Sequence, residues 1–316
     1  MMVIKKDYLW PIIGVFAVAL SIYLLYHELS GISYEDIVDS LSAISLIGWI
    51  LSALATLAAY AALAGYDSLA LQHLHKKIRW RFISLASFTA YAIGHNLGAS
   101  VFSGGMVRYR AYSSQHMNAG EIGVLVAFCS FTFTLGCLLL GGIVLVTAPE
   151  YLNRFYEDAS PWLAFSLGAS MLSFIALYVL GSLFNFKPMR FRSFELAYPN
   201  IRVTIKQLII GAVELLAAAA IIYFALPANV DISYWLILGI FLASFSAALI
   251  SHAPGGLGVL ELAFLVALPD VAQADVLAAL LVFRLFYLLI PLAISLIVVV
   301  YFEREQWLKR LHEKKI

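Results

Sequence analysis

Charged residues are scarce in this sequence of 316 residues. Asp, Glu, Lys and Arg together make up 12% of the chain and hydrophobic residues make up 63%, whereas soluble domains have about 25% and about 45–50%. Long polar segments are also missing, because the longest polar connection, 184–207, is far shorter than a folded domain. The composition therefore excludes a soluble protein and predicts an all-α, polytopic membrane protein, with 1–316 forming one membrane domain.

Cysteine is nearly absent as well. The two cysteines, Cys129 and Cys137, both lie inside one apolar segment, which excludes a disulfide framework and predicts a buried, reduced pair. No cysteine or carboxylate stands at ligand spacing from a histidine, so we predict neither a metal site nor a cofactor. A net charge of +1 gives no indication of a nucleic-acid partner.

Apolar stretches of about 20 residues, long enough to cross a bilayer, recur along the whole chain. Uninterrupted stretches that predict ordinary transmembrane helices are 8–26, 44–71, 122–147, 161–184, 208–226 and 276–301. Two others, 82–107 and 234–268, are interrupted by polar residues, glycine or proline. The sequence thus predicts about six to eight transmembrane helices, and loop charge leaves open whether 234–250 crosses completely.

The charges of the connections predict which side of the membrane each one faces, because cytoplasmic loops are rich in Lys and Arg. The connection after 8–26 is acidic, and both the connection after 44–71 and the C-terminal tail are basic. Both termini are therefore predicted to be cytoplasmic. A full crossing by 82–107 would put three later connections on the wrong side, so we predict a re-entrant hairpin there, entering from the cytoplasm. Acidic flanks predict that 234–268 is a second hairpin, entering from outside.

The order of these elements suggests an internal symmetry. The first half, about 1–150, consists of span, span, hairpin from inside, span, and the second half, 160–316, repeats this order upside down. Inverted repeats with interrupted helices are typical of transporters, whose binding site lies where the interruptions approach each other. The sequence therefore predicts a binding site between the two hairpins.

The break in the second hairpin contains Pro254, Gly255, Gly256 and Gly258, and Glu261 follows in the first turn of the restarted helix. Inside a membrane such a break survives only where it is buried in protein or lines a wet cavity. Bare backbone N–H groups at a helix N-terminus bind anions. The break is thus a candidate binding site for an anionic group.

Histidine is found at both predicted hairpin turns, as His95 and His252. A side chain that titrates near neutral pH is unusual at such a place. Two interpretations remain open for these residues: a hydrogen-bonded structural histidine or a proton relay.

Arg108 and Arg110 flank Tyr109 directly after a serine and two glycines. On a helix the two arginines would point away from each other, whereas on an extended segment they would share one face. An extended segment would thus form a paired clamp, and the arginine fork is well suited to phosphate. The alternative is that both are ordinary cytoplasmic charges of the positive-inside rule.

Glu214, Glu261 and Arg284 lie deep inside apolar segments. Charges at such depth cost about 2.5–3.5 kcal/mol and usually face the interior, where they pair or mark a pathway. Arg284 is expected either to pair with Glu261 or Glu214, or to serve with them in substrate or proton coupling. Asp67, near the cytoplasmic end of its span, either faces the arginines or is a solvated helix end.

Three motifs resemble one family. They are GMVRYRAYS at 105–113, HAPGGLGVLE at 252–261 and AALLVFR at 278–284, and they resemble the flippase-type transmembrane domain of the lysylphosphatidylglycerol synthase (MprF) family, with its stand-alone YbhN-like members most similar. The resemblance implies a domain that moves an aminoacylated phospholipid between leaflets. In two-domain relatives a separate soluble domain attaches the amino acid, and no such domain is expected here. Archaeal relatives associated with lipid-linked sugar transfer leave the natural substrate open.

These observations give a first functional hypothesis: translocation of a phospholipid or lipid-linked headgroup in a prokaryotic plasma membrane. The phosphate is expected at Arg108, Arg110 and the helix N-terminus that follows Gly255, Gly256 and Gly258. The carboxylates would pair with a cationic headgroup or carry protons. The second hypothesis is an integral membrane transferase acting on a lipid carrier through Asp67. The third is a non-transporting scaffold, and the choice between a monomer and a homo-oligomer stays open.

Overall fold

The computed structural model describes residues 33–97, 100–156, 160–184, 186, 189–191, 194–196, 198–228, 230–251 and 254–313. The first predicted span, 8–26, lies outside these residues. The helices are α1 Tyr34–Ala43, α2 Leu46–His73, α3 Trp80–Leu97, α4 Ser100–Ser113, α5 Ala119–Thr147, α6 Pro161–Leu183, α7 Ile201–Ala225, α8 Tyr234–Ser251, α9 Val259–Ala267, α10 Gln273–Phe283 and α11 Ile290–Glu313. Two short strands, β1 Met189–Phe191 and β2 Phe194–Leu196, form an antiparallel pair.

Six helices of the described residues are long and apolar enough to cross a membrane: Leu46–His73, Ala119–Thr147, Pro161–Leu183, Ile201–Ala225, Tyr234–Ser251 and Gln273–Arg304. Five of them correspond to predicted uninterrupted spans. The remaining one, α8, is the first arm of the predicted second hairpin, and its 18 residues satisfy the length needed for a crossing. The prediction of an all-α protein with several membrane-spanning helices is confirmed.

The amphipathic helix α1 precedes the membrane helices of the described residues and begins at a capping box. The Ser33 hydroxyl accepts from the backbone N–H of Asp36 at 3.1 Å, and the Asp36 carboxylate accepts from the backbone N–H of Ser33 at 2.8 Å. The backbone N–H and the hydroxyl of Ser33, each 2.8 Å from Asp36 Oδ2, lower the pKa of the exposed Asp36 from its ordinary value, since both favour the ionised carboxylate. The start of α1 is therefore fixed by its own first turn.

Helices α2 and α7 run antiparallel and form the centre of the bundle. Near one end a Cβ atom on Gly48 would lie 2.5 Å from the carbonyl oxygen of Phe224. One turn further along, the hydroxyl of Ser52 donates to the carbonyl of Ile221 at 3.1 Å. Small residues at a helix crossing let two backbones approach closely, which is the main source of association in a membrane.

A second close crossing joins α5 to α7, and these two helices run in the same direction. A Cβ atom on Gly136 would lie 2.7 Å from the carbonyl oxygen of Gly211. One turn earlier the Gln207 amide donates to the Thr132 hydroxyl at 2.9 Å. Helix α7 is therefore held on two sides, and its middle faces the interior of the bundle.

Helices α3 and α4 form the first hairpin. Phe82 packs edge-on against Tyr112 at 5.9 Å between ring centroids, and a Cβ atom on Gly104 would lie 3.0 Å from the carbonyl oxygen of Ala90. The two arms are thus antiparallel. Both outer ends lie at the end of the bundle where α2 finishes and α5 begins.

The expectation of an extended segment after the serine and glycines of this hairpin is wrong. Residues 100–113 form the helix α4, and Gly104 lies inside it. The physical reason is that the missing side chain allows close packing of α4 on α3, so this glycine serves the hairpin instead of breaking it.

The second hairpin consists of α8 and α9, joined through a short turn at Pro254–Gly256. Helix α8 runs antiparallel to α5, because Gly239 faces Val144 and the Ser246 hydroxyl lies 3.9 Å from the Cys137 sulfur. This hairpin therefore opens toward the opposite end of the bundle from the α3–α4 hairpin.

Both hairpin tips contact a π-helical segment, Arg284–Leu289, that separates α10 from α11. Such widened turns are rare and often lie at functional sites. Two carbonyl groups of this segment accept side-chain hydrogen bonds: Tyr60 donates to Tyr287 at 2.9 Å and Asn96 donates to Leu288 at 3.0 Å. The segment is thus fixed by α2 and by the tip of the α3–α4 hairpin.

Candidate functional site

A cavity of about 640 Å³ lies between the α3–α4 hairpin and helices α5, α7 and α8. Its polar lining consists of side chains from five helices, among them Tyr91, His95, Arg108, Cys137, Glu214 and Ser246. Its mouth lies between α4 and α8, where the lining residues Phe102 and Ile250 are 73% and 69% exposed. The cavity is therefore mainly apolar, with a few polar and charged side chains in its interior and an apolar mouth.

Arg108 lines the cavity and forms an ion pair with Asp67. The Arg108 Nη2 lies 2.8 Å from Asp67 Oδ1, and Nε donates to both carboxylate oxygens at 3.2 and 3.1 Å. Asp67 is 0% exposed and Arg108 is 4% exposed. The interpretation of Asp67 as a solvated helix end is therefore wrong, and the expectation that it faces an arginine is confirmed.

The Asp67 carboxylate has further partners on three helices. The hydroxyl of Tyr112 donates to Oδ2 at 2.9 Å, the hydroxyl of Ser87 donates to Oδ1 at 3.3 Å, and the thiol of Cys129 lies 3.5 Å from Oδ1. The Arg108 guanidinium carbon lies 4.4 Å from the centre of the Tyr91 ring. The pair is thus surrounded by hydrogen bonds and a cation–π contact.

Arg110 lies on the opposite side of α4 from Arg108, because two residues of a helix span about 200°. Arg110 donates to Glu303 through Nε and Nη2, each at 2.8 Å, and the two side chains are 43% and 47% exposed. They line a separate groove of about 510 Å³. The expectation that Arg108 and Arg110 form a paired clamp is therefore wrong. Residues 100–113 are helical, and of the two arginines Arg108 alone lines the cavity. Tyr109 between them is 54% exposed.

Glu214, in the middle of α7, is 1% exposed and lines the cavity. Its carboxylate accepts a hydrogen bond from the Tyr287 hydroxyl at 2.7 Å and one from the Tyr66 hydroxyl at 3.3 Å. No Lys, Arg or His among the described residues forms an ion pair with it. The prediction that Glu214 faces the bundle interior is confirmed, whereas the alternative pairing with Arg284 is wrong.

His95 lies at the tip of the α3–α4 hairpin, with its ring stacked on Tyr287 at 5.4 Å between centroids. Tyr91 and Phe245 pack on other sides of the ring at 5.5 and 5.9 Å. The Nδ1 atom of His95 is buried and has no hydrogen-bond partner within the described part of the chain. The second histidine of the prediction, His252, lies outside the described residues.

Arg284 and Glu261 form the second buried ion pair. Arg284 Nη2 lies 2.5 Å from Glu261 Oε1, and Nε donates to the same oxygen at 2.6 Å. Nη1 donates to the carbonyl of Gly255 at 2.9 Å. The prediction of an Arg284–Glu261 pair is confirmed, but neither residue lines the cavity. The pair instead ties the turn of the second hairpin to the π-helical segment.

The glycines of the second hairpin turn serve its backbone. Gly255, Gly256 and Gly258 have φ angles of 59°, 65° and 77°, a region that other residues rarely occupy. The N–H of Gly258 donates to Glu261 Oε2 at 2.8 Å. In this conformation the anion at the N-terminus of α9 is thus the chain's own carboxylate. Phosphate binding at this turn stays a prediction, and it would have to displace Glu261 from the Gly258 N–H.

Buried tyrosines are the functional candidates that sequence reasoning missed. Tyr66, Tyr112 and Tyr287 are each 0% exposed and donate to the buried carboxylates. Tyrosine in membrane helices is common at the membrane–water interfaces. Sequence reasoning therefore attributes the tyrosines to the interfaces and predicts no functional role for these three. Their position provided a signal, since Tyr66 directly precedes Asp67 and Tyr287 follows Arg284 by three residues.

Comparisons with known proteins agree with this architecture. The model of the family described as lysylphosphatidylglycerol synthase TM region matches residues 12–295. The uncharacterized protein slr0712 of Synechocystis is 32% identical over 282 residues, covering 89% of this chain and 87% of that protein. The inner membrane protein YbhN of Escherichia coli is 32% identical over 254 residues, covering 79% and 77%.

A more distant relative is much longer than this chain. Phosphatidylglycerol lysyltransferase of Staphylococcus aureus is 26% identical over 291 residues, which cover 89% of this chain and 33% of that protein. The match is thus to one third of the lysyltransferase, whereas slr0712 and YbhN match over most of their length. The chain belongs to the lysylphosphatidylglycerol synthase transmembrane-region family of bacterial multi-pass membrane proteins.

Proposed function

We propose that this protein moves a phospholipid, or another lipid with a phosphorylated headgroup, between the two leaflets of a prokaryotic plasma membrane. The observation that carries the proposal is the cavity whose interior contains Arg108, His95 and Glu214 and whose mouth is apolar. Its volume of about 640 Å³ lies in the range of about 300–1,000 Å³ typical of small-molecule sites. A headgroup enters the cavity while its acyl chains remain outside, against Phe102 and Ile250.

The two hairpins support a transporter architecture. In the proposed arrangement α3–α4 dips into the membrane from the cytoplasm and α8–α9 from outside, as inverted halves around the cavity. Their opposite opening directions and their shared contact with the segment Arg284–Leu289 support this arrangement. Inverted repeats place the binding site where interrupted helices meet. The basic residues after α2 and in α11 support a cytoplasmic location of both termini in this proposal.

Arg108 is the proposed phosphate ligand. It lines the cavity, and Asp67 uses its Nε and Nη2 atoms. Its Nη1 therefore remains for a second acceptor, and a guanidinium has five N–H donors in a planar fork. Asp67 orients Arg108 through these hydrogen bonds, and Tyr91 supports the guanidinium from one face. In this role Asp67 is a positioning residue.

The names of the relatives support the lipid class of the substrate. The lysyltransferase of Staphylococcus aureus is named for phosphatidylglycerol, and one third of it matches this chain. A phospholipid substrate for the membrane part follows as the simplest proposal. The proposed activity is lipid translocation without lipid synthesis, so in this proposal the protein is not an enzyme.

The alternative of a membrane transferase that uses Asp67 is less well supported. Asp67 is fully buried and its carboxylate is occupied by Arg108 and Tyr112. No group of three His, Cys, Asp or Glu side chains in the described ranges could hold a metal ion. A scaffold without transport does not account for a cavity that contains Arg108 and Glu214 and opens on an apolar surface.

Lipid movement in reconstituted vesicles tests the proposal. The full chain is reconstituted with a fluorescent phosphatidylglycerol, and the fraction of lipid reached by a membrane-impermeant quencher is followed with time. Ser246 lines the cavity, whereas the neighbouring Ala247 is exposed on the outer side of α8. We expect wild-type protein and Ala247→Trp to accelerate lipid movement, and Ser246→Trp to abolish the acceleration because the indole fills the cavity.

Two results would contradict the proposal. One is wild-type vesicles in which lipid moves no faster than in protein-free vesicles. The other is equal acceleration by the Ser246→Trp and Ala247→Trp proteins, which would show that any lipid movement bypasses the cavity. Circular dichroism and gel filtration of both variants confirm that they remain folded.

A further inference from the structure

One buried carboxylate lacks a compensating cation. Asp67 is paired with Arg108 and Glu261 is paired with Arg284, whereas the partners of Glu214 in the described part of the chain are the hydroxyl groups of two tyrosines. A buried ionised carboxylate without a cation is costly, and such a group exchanges protons or binds a cation. Glu214 is therefore the carboxylate of the cavity whose charge is free to change.

The charge of the cavity depends on the protonation of this one side chain. The Asp67–Arg108 pair is neutral as a unit, so an ionised Glu214 gives the cavity a net charge of −1 when His95 is neutral. A protonated Glu214 makes the cavity neutral. A lipid phosphate near an ionised carboxylate is strongly repelled in a medium of low dielectric constant. Proton binding at Glu214 and phosphate binding in the cavity are thus expected to favour each other.

Groups that titrate or carry charge surround Glu214 on several helices. They are Tyr60, Tyr66, Tyr91, His95, Arg108, Cys137 and Tyr287, from α2, α3, α4, α5 and the π-helical segment. Helix α8 contributes the hydroxyl of Ser246. Tyrosine, cysteine and arginine side chains ordinarily titrate above about pH 8, which leaves Glu214 and His95 as the groups of the cavity that can exchange protons below that pH.

The surroundings also provide a hydrogen-bond partner for the protonated form. Tyr287 donates to Glu214 Oε1 and at the same time stacks on the ring of His95. The Nδ1 atom of His95 is buried in the lining of the same cavity, without a hydrogen-bond partner among the described residues. Protonated Glu214 becomes a donor, and a neutral histidine has one ring nitrogen that accepts a hydrogen bond.

We propose that Glu214 takes up one proton when an anionic phospholipid headgroup enters the cavity and releases it when the headgroup leaves. This inference rests on the proposed function and adds a proton to each translocation cycle. The step converts the carboxylate and a proton from water into a carboxylic acid, and no bond to the lipid forms. The acid then donates a hydrogen bond to a phosphate oxygen or to His95 Nδ1.

Binding of a short-chain phosphatidylglycerol to the detergent-solubilised full chain tests the inference. The Kd is measured from about pH 5 to 8 for the wild type, Glu214→Gln and the exposed control Glu35→Gln. For one linked proton, the wild-type Kd is expected to rise up to tenfold per pH unit above the midpoint. Glu214→Gln, which is permanently neutral, should bind with a Kd that does not change with pH, and Glu35→Gln should behave like the wild type.

A second variant keeps the carboxylate and changes only its donor. Tyr287→Phe removes the 2.7 Å hydrogen bond that stabilises the ionised form of Glu214, so the midpoint of the binding curve should move to higher pH. Because phenylalanine is nearly equal in size to tyrosine, the packing around residue 287 should be preserved. This variant remains informative if Glu214→Gln folds poorly.

The inference is overturned by a wild-type Kd that does not depend on pH, by pH dependence that persists in Glu214→Gln, by an unchanged midpoint in Tyr287→Phe, or by absence of binding. The vesicle assay separates this failure from failure of the proposed function. Lipid movement that is fast at every pH would keep the translocase and exclude the proton. Lipid that binds with the expected pH dependence but does not move would exclude the translocase.

Discussion

Breaking the Asp67–Arg108 pair should strongly destabilise the protein, whereas breaking the Arg110–Glu303 pair should not. The two arginines stand two residues apart on α4 and each is paired with a carboxylate. Asp67 is 0% exposed and the Arg108 side chain is 5% exposed, but the Arg110 and Glu303 side chains are 43% and 47% exposed. Burial is therefore the main difference between the pairs.

The magnitude follows from what each substitution leaves behind. Asp67→Asn leaves the positive charge of Arg108 buried without a counter-charge. It also turns the amide N–H₂ of the new side chain toward groups that are themselves donors, Arg108 and Tyr112. The free energy of unfolding should therefore fall by about 3–5 kcal/mol. After Glu303→Gln the Arg110 side chain, which is already 43% exposed, can still be solvated by water or lipid headgroups. The free energy of unfolding should therefore fall by only about 0–1 kcal/mol. The expected difference between the two variants is thus at least about 2 kcal/mol.

Titration with SDS in mixed micelles measures both free energies of unfolding. The double variant Asp67→Leu with Arg108→Met provides a further check, because removal of both charges should recover much of the loss caused by Asp67→Asn. Equal effects of Asp67→Asn and Glu303→Gln would refute the reasoning, since they would mean that Arg108 is not buried against Asp67.

Two further predictions concern the bundle. Gly136→Ala should lower the free energy of unfolding by about 1–3 kcal/mol, because its Cβ would lie 2.7 Å from the carbonyl oxygen of Gly211. The control Gly123→Ala has nothing within 4 Å of its Cβ and should be neutral or stabilise by up to about 1 kcal/mol. Equal losses of the two variants in the SDS titration would contradict the α5–α7 crossing. Asn96→Leu removes the donor to the Leu288 carbonyl and should cost about 1–3 kcal/mol. A loss below about 0.5 kcal/mol would argue against this contact at the π-helical segment.

Much of the fold is predictable from the sequence because the bilayer imposes simple rules. Helix length predicts five spans that the structure describes. Loop charge predicts that 82–107 does not form one continuous span, and the structure has two helices there, α3 and α4. The conformation of residues 100–113 is not predictable in this way. Gly104 suggests a break, but its role depends on the approach of Ala90 from α3, which no local pattern reports.

The candidate site is predictable in its components and less so in its pairings. Burial of a charge in an apolar segment correctly predicts that Glu214 faces the interior. The choice of Glu261 as the partner of Arg284, and of Asp67 as the partner of Arg108, depends on helix packing. Spacing along the chain cannot provide this information, because the Asp67 and Arg108 positions are 41 residues apart.

Photochemical cross-linking tests the central claim, that a lipid headgroup enters the cavity, most directly. A phospholipid with a diazirine in its headgroup is incorporated into vesicles with the wild-type protein, and mass spectrometry locates the cross-linked residues after illumination. The account predicts cross-links on the cavity side of α5, at Ser130 and Cys137, and their loss in Ser246→Trp. Cross-links confined to helix ends, with none at these two residues, would contradict it.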